Sequence, residues 1–174
     1  MAHLTIAVNV SPLQFHQRDF VHKVLEIVRR TGANPQRLKL ELTEGMLISS
    51  IEDVIAKMSA LRQQGIGFSL DDFGTGYSSL SYLKRLPLDQ IKIDQSFIRD
   101  IPDDSSDASI AKMIIALADG LGLAVIAEGV ETEEQHDFLA GNGCHAYQGY
   151  LYYRPVPLQE FEAFANCASV TETL

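Results

Sequence analysis

Cysteine, basic charge and long apolar runs are all scarce in this sequence. The two cysteines, Cys144 and Cys167, have a spacing that suggests neither a disulfide framework nor a zinc site, so we expect reduced thiols. With 14 basic and 23 acidic residues, the net charge is −9, which disfavours binding to a nucleic-acid polymer or to anionic lipid. Apolar runs such as LGLAVIA are far too short to span a membrane, and the start MAHLTIAVNV lacks a signal-peptide layout. These absences predict a cytoplasmic protein without membrane contact.

What the sequence does contain is a regular alternation of strand and helix periodicities. The predicted strands cover residues 4–10, 37–44, 66–72, 90–94, 123–129 and 146–152, and the predicted helices cover 20–32, 50–65, a short segment near 78–86, 106–122, 132–143 and 157–168. Gly32 suits the end of a helix, while Thr132 and Gln135 suit a capping box at the start of another. Six strand–helix units with short connections predict an α/β fold with a parallel sheet, in a single domain over residues 1–174.

Polar residues recur where the predicted strands end. Because the carboxyl ends of parallel strands lie on one side of a sheet or barrel, we expect these side chains to share one rim. They are Asn9, Glu41, Asp71, Asp72, Lys92, Asp94, Glu128 and, within the last strand, Gln148. One carboxylate at one strand end means little, but successive strands that deliver such residues to one rim predict a functional site.

An oxygen-rich set of this kind suits a hard cation such as Mg²⁺, Mn²⁺ or Ca²⁺ better than zinc. The five histidines are scattered through the sequence without metal-ligand spacing. Adjacent aspartates such as Asp71 and Asp72 can bridge two ions about 3.5–4 Å apart, as in two-metal phosphodiester chemistry. Lys92 could then hold a water molecule or stabilise negative charge that develops on phosphate.

Each of these residues also has a purely structural explanation. Glu41 could belong to the solvated face of a strand, and Asp71 with Asp72 could form a turn before the glycines. Lys92 and Asp94 could form a surface ion pair, which contributes only ~0–1 kcal/mol. Taken together, the strand-end positions favour the metal interpretation.

Six motifs resemble one family closely. They are VNVSPLQF, LELTE, LDDFGTGYSSL, IKIDQSFI, AEGVET and QGYLYYRP, and in this order they look like the EAL-domain family of cyclic di-GMP phosphodiesterases. The likeness runs from about residue 5 to residue 158. It implies a bacterial domain with a TIM-type barrel that hydrolyses cyclic di-GMP to linear pGpG. It also implies Mg²⁺ or Mn²⁺ as the cofactor, with Ca²⁺ as an inhibitor.

The resemblance assigns a role to each motif residue. The metal ligands would be Asn9, Glu41, Asp71 and Asp72. The catalytic residues would be Lys92, which holds the attacking water, together with Glu128 and Asp94, and the substrate-binding residues would be Gln148 and Glu131. The loop that couples the site to dimerisation would be Phe73, Gly74, Thr75 and Gly76, pinned by Glu44. Glu131 alone would be explained by the preference of acidic residues for the first turn of a helix.

The chain departs from the family pattern at its amino-terminal side. A TIM barrel has eight strands in about 250 residues, whereas this sequence predicts six, so we expect an incomplete barrel. No Glu-Ala-Leu segment precedes Asn9, so a metal-binding Glu and a substrate-binding Arg of the family are missing, and we expect weakened metal binding. The unpaired edge strands of an incomplete barrel can pair with another chain, which predicts a homodimer or a domain-swapped oligomer. The alternative function is a catalytically inactive module for cyclic di-GMP binding or for dimerisation.

Overall fold

Six parallel strands, arranged in sequence order, form one curled sheet. The computed structural model describes residues 4–47, 51–76, 80–101 and 104–171. The strands are β1 (Ile6–Asn9), β2 (Leu38–Thr43), β3 (Gly67–Phe73), β4 (Gln90–Ile93), β5 (Ala124–Glu128) and β6 (Tyr147–Gln148). Each strand pairs in parallel with the next. This half-barrel confirms the predicted incomplete TIM-type architecture.

Helices connect the strands. They are α1 (Pro12–Phe15), α2 (Phe20–Thr31), α3 (Ile51–Arg62), α4 (Leu80–Leu83), α5 (Ser105–Leu121), α6 (Glu133–Gly141) and α7 (Leu158–Thr171), with 3₁₀ turns at Pro35–Arg37, Glu44–Leu47 and Gln95–Phe97. The predicted signals are confirmed: Gly32 ends α2 with a φ of 68°, and Thr132 and Gln135 form the capping box of α6. In the ranges described, no helix combines the length and the apolar character that a bilayer crossing requires.

The two faces of the sheet differ sharply in polarity. On one face, large apolar side chains from the central strands are buried in the core: Leu40, Leu42, Phe68, Leu70, Ile91 and Ile93. Because successive side chains of a strand point to opposite faces, the residues between them lie on the other face. These include Glu41, Ser69 and Lys92. The alternation therefore builds an apolar face in the core and a polar face on the inside of the curl.

The first and last strands are much shorter than predicted. β1 pairs only over Ile6–Asn9, and β6 only over Tyr147–Gln148, because the chain turns at Gly149. A Cβ atom at Gly149 would lie 2.1 Å from the carbonyl oxygen of Val130, so only glycine allows this approach. The short predicted helix near 78–86 is observed as α4, and its residues 78 and 79 lie outside the described ranges, as does residue 50 of the predicted helix 50–65.

Candidate active site

Lys92 lies at the centre of the polar rim. It is the second-last residue of β4, and only 5% of its surface is exposed. Its Nζ atom is 3.1 Å from Glu41 Oε2 and 2.9 Å from Asp71 Oδ1, and it also contacts Glu128 Oε1. Burial lowers the pKa of Lys92 most, but the close contact with Glu128 and the negative charges of Glu128 and Asp71 outweigh that effect and raise the pKa above its ordinary value of 10.5. The ammonium group is therefore held in its charged form. Its partners are the three carboxylates named above, in place of the surface ion pair with Asp94 that was the alternative explanation.

A local irregularity at the end of β3 brings both aspartates to this rim. Consecutive residues of a regular strand would point to opposite faces. Here the register with β4 shifts between Leu70 and Phe73, and Asp72 takes a left-handed φ of 53°, which Asp tolerates better than most residues. As a result, carboxylate oxygens of Asp71, Asp72 and Glu128 lie within 4.8 Å of one another.

Two of the clustered carboxylates, Asp72 and Glu128, have a raised pKa. Burial raises the pKa of Asp72 most, and the neighbouring Asp71 and Asp94 raise it further. Burial also raises the pKa of Glu128, and although Lys92 opposes this shift, the charges of Asp71 and Glu41 add to it. Burial is thus the main cause of both shifts, and repulsion from the neighbouring carboxylates adds to it.

Asn9 and Glu41 lie side by side at the ends of β1 and β2. With its amide nitrogen turned toward the carboxylates, Asn9 donates to Glu41 Oε2 at 3.2 Å and to Asp71 Oδ2 at 3.3 Å. Rotation of the amide by 180° would instead point its oxygen inward, the orientation that metal ligation needs. Asn9 is thus within reach of two of the carboxylates that Lys92 contacts, those of Glu41 and Asp71.

The rim meets the requirements of a divalent-cation site in its donor chemistry. The donors are carboxylate and amide oxygens, which suit Mg²⁺, Mn²⁺ and Ca²⁺. Asp71 Oδ1 is buried and, despite its proximity to Lys92, accepts no hydrogen bond of good geometry. A cation there would satisfy this oxygen and offset the excess charge. The residues placed to hold it are Asn9, Glu41, Asp71, Asp72 and Glu128.

Glu44 anchors the glycine loop that follows β3. Its buried carboxylate accepts hydrogen bonds from the backbone N–H groups of Gly74 at 3.2 Å and Gly76 at 3.1 Å. Thr75 lies between them and donates its hydroxyl to the carbonyl of Asp72 at 2.9 Å. Phe73, which the sequence placed in the loop, is instead the last residue of β3 and is buried, because it continues the apolar face of the sheet.

The remaining predicted residues lie around the rim rather than inside the cluster. Asp94 accepts a hydrogen bond from Ser96 N at 2.9 Å and, as noted above, interacts with Asp72. Glu131 precedes α6 instead of lying in its first turn. Glu131 and Gln148 are exposed and line, together with Glu128, a cavity of about 540 Å³.

Sequence reasoning missed a second row of polar residues on the inner face. Ser69 lies opposite both Glu41 and Gln90 in the sheet, and Gln90 accepts a hydrogen bond from Lys39. The alternation of apolar and polar residues in KLEL and FSLD carried this signal, since Lys39 and Ser69 share their face with Glu41 and Asp71.

A further group outside the rim was also missed. Carboxylate and imidazole atoms of Glu133, His136 and Asp137 lie within 4.8 Å of one another on α6. Their spacing along the helix, i, i+3 and i+4, places them on one face, which sequence reasoning overlooked because it treated His136 alone.

The fold and the rim together define a (β/α)-barrel protein with a carboxylate-rich site at the carboxyl ends of its strands. The model of one protein family, the EAL domain, matches residues 1–155. The chain belongs to the EAL domain family, as its motifs predicted.

Comparison with known proteins gives relatives of stated activity. The chain is 47% identical over 161 residues to the cyclic di-GMP phosphodiesterase NbdA of Pseudomonas aeruginosa, a match that covers 92% of this chain and 21% of NbdA. It resembles the structure of the PaMucR phosphodiesterase in complex with c-di-GMP, with a TM-score of 0.87 and 44% identity over 90% of this chain and 64% of that one.

A second similar structure contains a metal. The manganese and cyclic di-GMP complex of BlrP1 from Klebsiella pneumoniae has a TM-score of 0.78 and 34% identity, over 87% of this chain and 39% of that one. The chain spans about a fifth of the length of the curated relatives that it matches first, 21% and 23%.

Proposed function

We propose that this chain carries the metal-dependent phosphodiesterase site of an EAL domain and hydrolyses cyclic di-GMP to linear pGpG. The observation that carries the proposal is the rim itself, where Glu41, Asp71 and Glu128 from three strands surround Lys92. Relatives named as cyclic di-GMP phosphodiesterases support the choice of substrate. Hydrolysis adds water to phosphorus, breaks one P–O bond to ribose and leaves the proton on the departing ribose oxygen.

The proposed cofactor is Mg²⁺ or Mn²⁺, held by Asn9, Glu41, Asp71 and Asp72 with Glu128 in support, and it would activate water and polarise the phosphate. Lys92, fixed in its charged form, orients the attacking water and stabilises negative charge that develops on the phosphate oxygens. Asp94 orients Asp72 from the neighbouring strand end. The exposed Gln148 and Glu131 contact the nucleotide from the adjoining cavity.

The proposed partner, besides the dinucleotide, is a second copy of the chain. Support comes from the edge strand β1, where Ile6 and Val8 lie opposite core residues of β2 but are 66% and 42% exposed. The loop pinned by Glu44 begins at Gly74, two residues after Asp72, so a contact made by the loop can affect the position of Asp72. In this proposal, dimerisation at the loop adjusts the position of Asp72.

The direct test is a turnover assay. The purified chain is incubated with cyclic di-GMP and Mn²⁺, with and without EDTA, and pGpG is separated by liquid chromatography. We expect product formation that EDTA abolishes. Asp71→Asn should lower the rate more than about 100-fold, because the loss of a metal ligand should cost at least as much activity as the loss of a residue that supports one. Asp119→Asn, an exposed change on α5, should leave the rate unchanged. No product, or product that persists in EDTA, would contradict the proposal.

The alternative function is a module that binds cyclic di-GMP without hydrolysing it. One observation favours it: the cavity beside Glu128 lies next to the carboxylate cluster but does not coincide with it, so binding does not require an intact metal site. Calorimetry in EDTA separates the two functions. Binding without turnover in any divalent cation would favour the binding module, and product formation would exclude it.

A further inference from the structure

A second group of metal-binding side chains lies on α6, outside the rim. Donor atoms of Glu133, His136 and Asp137 lie within 4.8 Å of one another. Their helical spacing of i, i+3 and i+4 brings the three side chains to one face of the helix. This group offers an imidazole nitrogen beside two carboxylates, whereas the candidate ligands at the rim offer only oxygen atoms.

The donor set of this group favours zinc. Zn²⁺ binds imidazole nitrogen together with carboxylate oxygen, whereas Mg²⁺ and Ca²⁺ prefer sets of oxygen atoms alone. Ligand atoms about 2.1 Å from a tetrahedral zinc ion lie ~3.4 Å apart. His136 Nδ1 lies 3.0 Å from Asp137 Oδ1, so this pair is already close to that spacing. Glu133 is exposed, which leaves its carboxylate room to rotate toward the pair.

Two tyrosines hold the imidazole ring of His136 in place. The ring centre of His136 lies 4.9 Å from that of Tyr147 and 6.3 Å from that of Tyr152, in edge-to-face geometry, and the two tyrosine rings stack at 5.9 Å. Tyr147 is itself fixed, because its hydroxyl donates to the carbonyl of Cys144 at 2.6 Å. The His136 side chain nevertheless remains 31% exposed. A ring that is oriented and still accessible loses little conformational freedom when it binds an ion.

The two carboxylates of this group also lack a permanent cationic partner. Among the residues that the structure describes, Glu133 forms no ion pair with lysine or arginine, and the ion pair of Asp137 is with His136, which is charged only when protonated. Burial raises the pKa of Tyr152, and the charges of Glu133 and Asp137 raise it further. Both carboxylates therefore act on the same place beside the imidazole ring, where a dication would offset them.

We propose that Glu133, His136 and Asp137 form a zinc site on α6. The three side chains supply three ligands, and water completes the tetrahedron, as in other zinc sites with three protein ligands. The ion joins residues from the first two turns of α6 and so stabilises the helix. This site is independent of the proposed phosphodiesterase function.

The first experiment is a calorimetric titration of the full chain with Zn²⁺ in excess Mg²⁺, which competes for the oxygen-rich rim. Glu133→Gln should bind Zn²⁺ at least about 10-fold more weakly than the wild-type chain, because the loss of a ligand should cost no less than the loss of a residue that supports one. Glu134→Gln, an exposed change in the same helical turn, should match the wild-type chain. Equal affinities for the two variants, or no saturable binding by the wild-type chain, would overturn the site.

Replacement of the imidazole provides a second test. His136→Phe keeps an aromatic ring against Tyr147 and Tyr152 but removes both nitrogen atoms. Zinc binding should therefore weaken at least about 10-fold, while the melting temperature without zinc stays near that of the wild-type chain. His22→Phe, at an exposed position on α2, should bind zinc like the wild-type chain. Wild-type affinity in His136→Phe would overturn the site.

Chemical modification locates the bound ion. Diethyl pyrocarbonate acylates histidine nitrogen atoms, and mass spectrometry of the digested chain measures each histidine separately. Zn²⁺ should block the modification of His136 and leave that of His22 unchanged, whereas Mg²⁺ should protect neither. Zinc held at the rim cannot produce this pattern, because no rim ligand is a histidine. Equal modification of His136 with and without Zn²⁺ would show that the ion does not bind on α6, and the proposed hydrolysis of cyclic di-GMP would stand unaffected.

Discussion

Lys92 shows how a single buried cation organises a group of anions. Three carboxylates approach one ammonium group that is almost removed from solvent. A buried charge of this kind persists only when it is paired, and removal of one partner leaves the others uncompensated. The same arrangement leaves negative charge in excess, which a divalent cation can offset. The structure of the rim therefore depends on Lys92, and we expect a divalent cation to stabilise it further.

Replacement of Lys92 tests this interdependence. In EDTA, Lys92→Met should lower the free energy of unfolding by about 3 kcal/mol, because three partly buried carboxylates lose their partner. Saturating Mn²⁺ should recover much of that loss, since the carboxylates then ligate the cation. Urea unfolding in EDTA and in Mn²⁺ measures both values, and the exposed Lys84→Met serves as the control. An equal loss in both solutions would argue that the carboxylates do not hold a cation.

Cys144 gives a prediction on pH. The residue is completely buried, and burial raises the pKa of its thiol above the ordinary value of 9.0. The folded state therefore keeps the proton that the unfolded state releases, so the contribution is complete below pH 9.0 and is lost as the pH rises above it. Between pH 9 and 10.5 the free energy of unfolding should fall more steeply than in Cys144→Ala, by up to ~1.4 kcal/mol per pH unit. Parallel slopes for the two proteins would contradict this assignment.

At the scale of elements, the turn after β6 depends on a close backbone contact. Val130 N donates to the carbonyl of Gln148, and Leu151 N donates to the carbonyl of Val130. These two bonds clamp the chain on both sides of Gly149, and they leave no room for a side chain. The turn therefore positions Gln148 and Tyr150 on the cavity wall.

Gly149→Ala should disrupt this turn. The added Cβ would meet backbone atoms of Val130 at 2.1–2.7 Å, so we expect a loss of about 3 kcal/mol, at the upper end for overpacking. Gly120→Ala is the matched control, because it lies within α5 with nothing within 4 Å of the new Cβ and should gain up to ~1 kcal/mol of stability from helix propensity. Thermal unfolding of both variants measures the difference, and similar melting temperatures would refute the backbone clamp.

The elements themselves were largely predictable from local signals. The glycine at the end of α2 and the capping box of α6 each depend on a few adjacent residues. The short length of β6 was not predictable, because it depends on the contact of Gly149 with Val130 far away in sequence. The left-handed Asp72 was not predictable either, since it follows from a register shift against β4.

At the scale of the whole molecule, β1 leaves one edge of the half-barrel open. Ile6 and Val8 have the same orientation as core residues of β2 but remain well exposed. An exposed apolar edge strand is a template for pairing with another chain, which supports the proposed second copy.

Light scattering tests this association. The wild-type chain should show a molar mass that rises with concentration, and Ile6→Lys should keep it near the monomer value, because a charge at the edge opposes strand pairing. Met113→Lys, on the exposed surface of α5, should associate like the wild-type chain. A monomer at all concentrations, or equal association of the two variants, would exclude pairing through β1.

The location of the candidate site was predictable at this scale, whereas its internal contacts were not. The parallel topology placed the ends of the strands together, so the rim followed from the order of strands and their polar ends. That Lys92 contacts three carboxylates, and that Glu44 reaches two backbone N–H groups of the glycine loop, depends on curvature and side-chain conformations. Neither is encoded in spacing along the chain.

The most direct test of the central claim is a titration of the wild-type chain and of Asp71→Asn with Mn²⁺, monitored by electron paramagnetic resonance of the free ion. If the rim is a divalent-cation site, the wild-type chain should remove free Mn²⁺ with saturation, and Asp71→Asn should bind at least about 10-fold more weakly. Asp119→Asn should match the wild-type chain. Indistinguishable curves for the wild-type and Asp71→Asn chains would show that the strand-end carboxylates do not hold the metal.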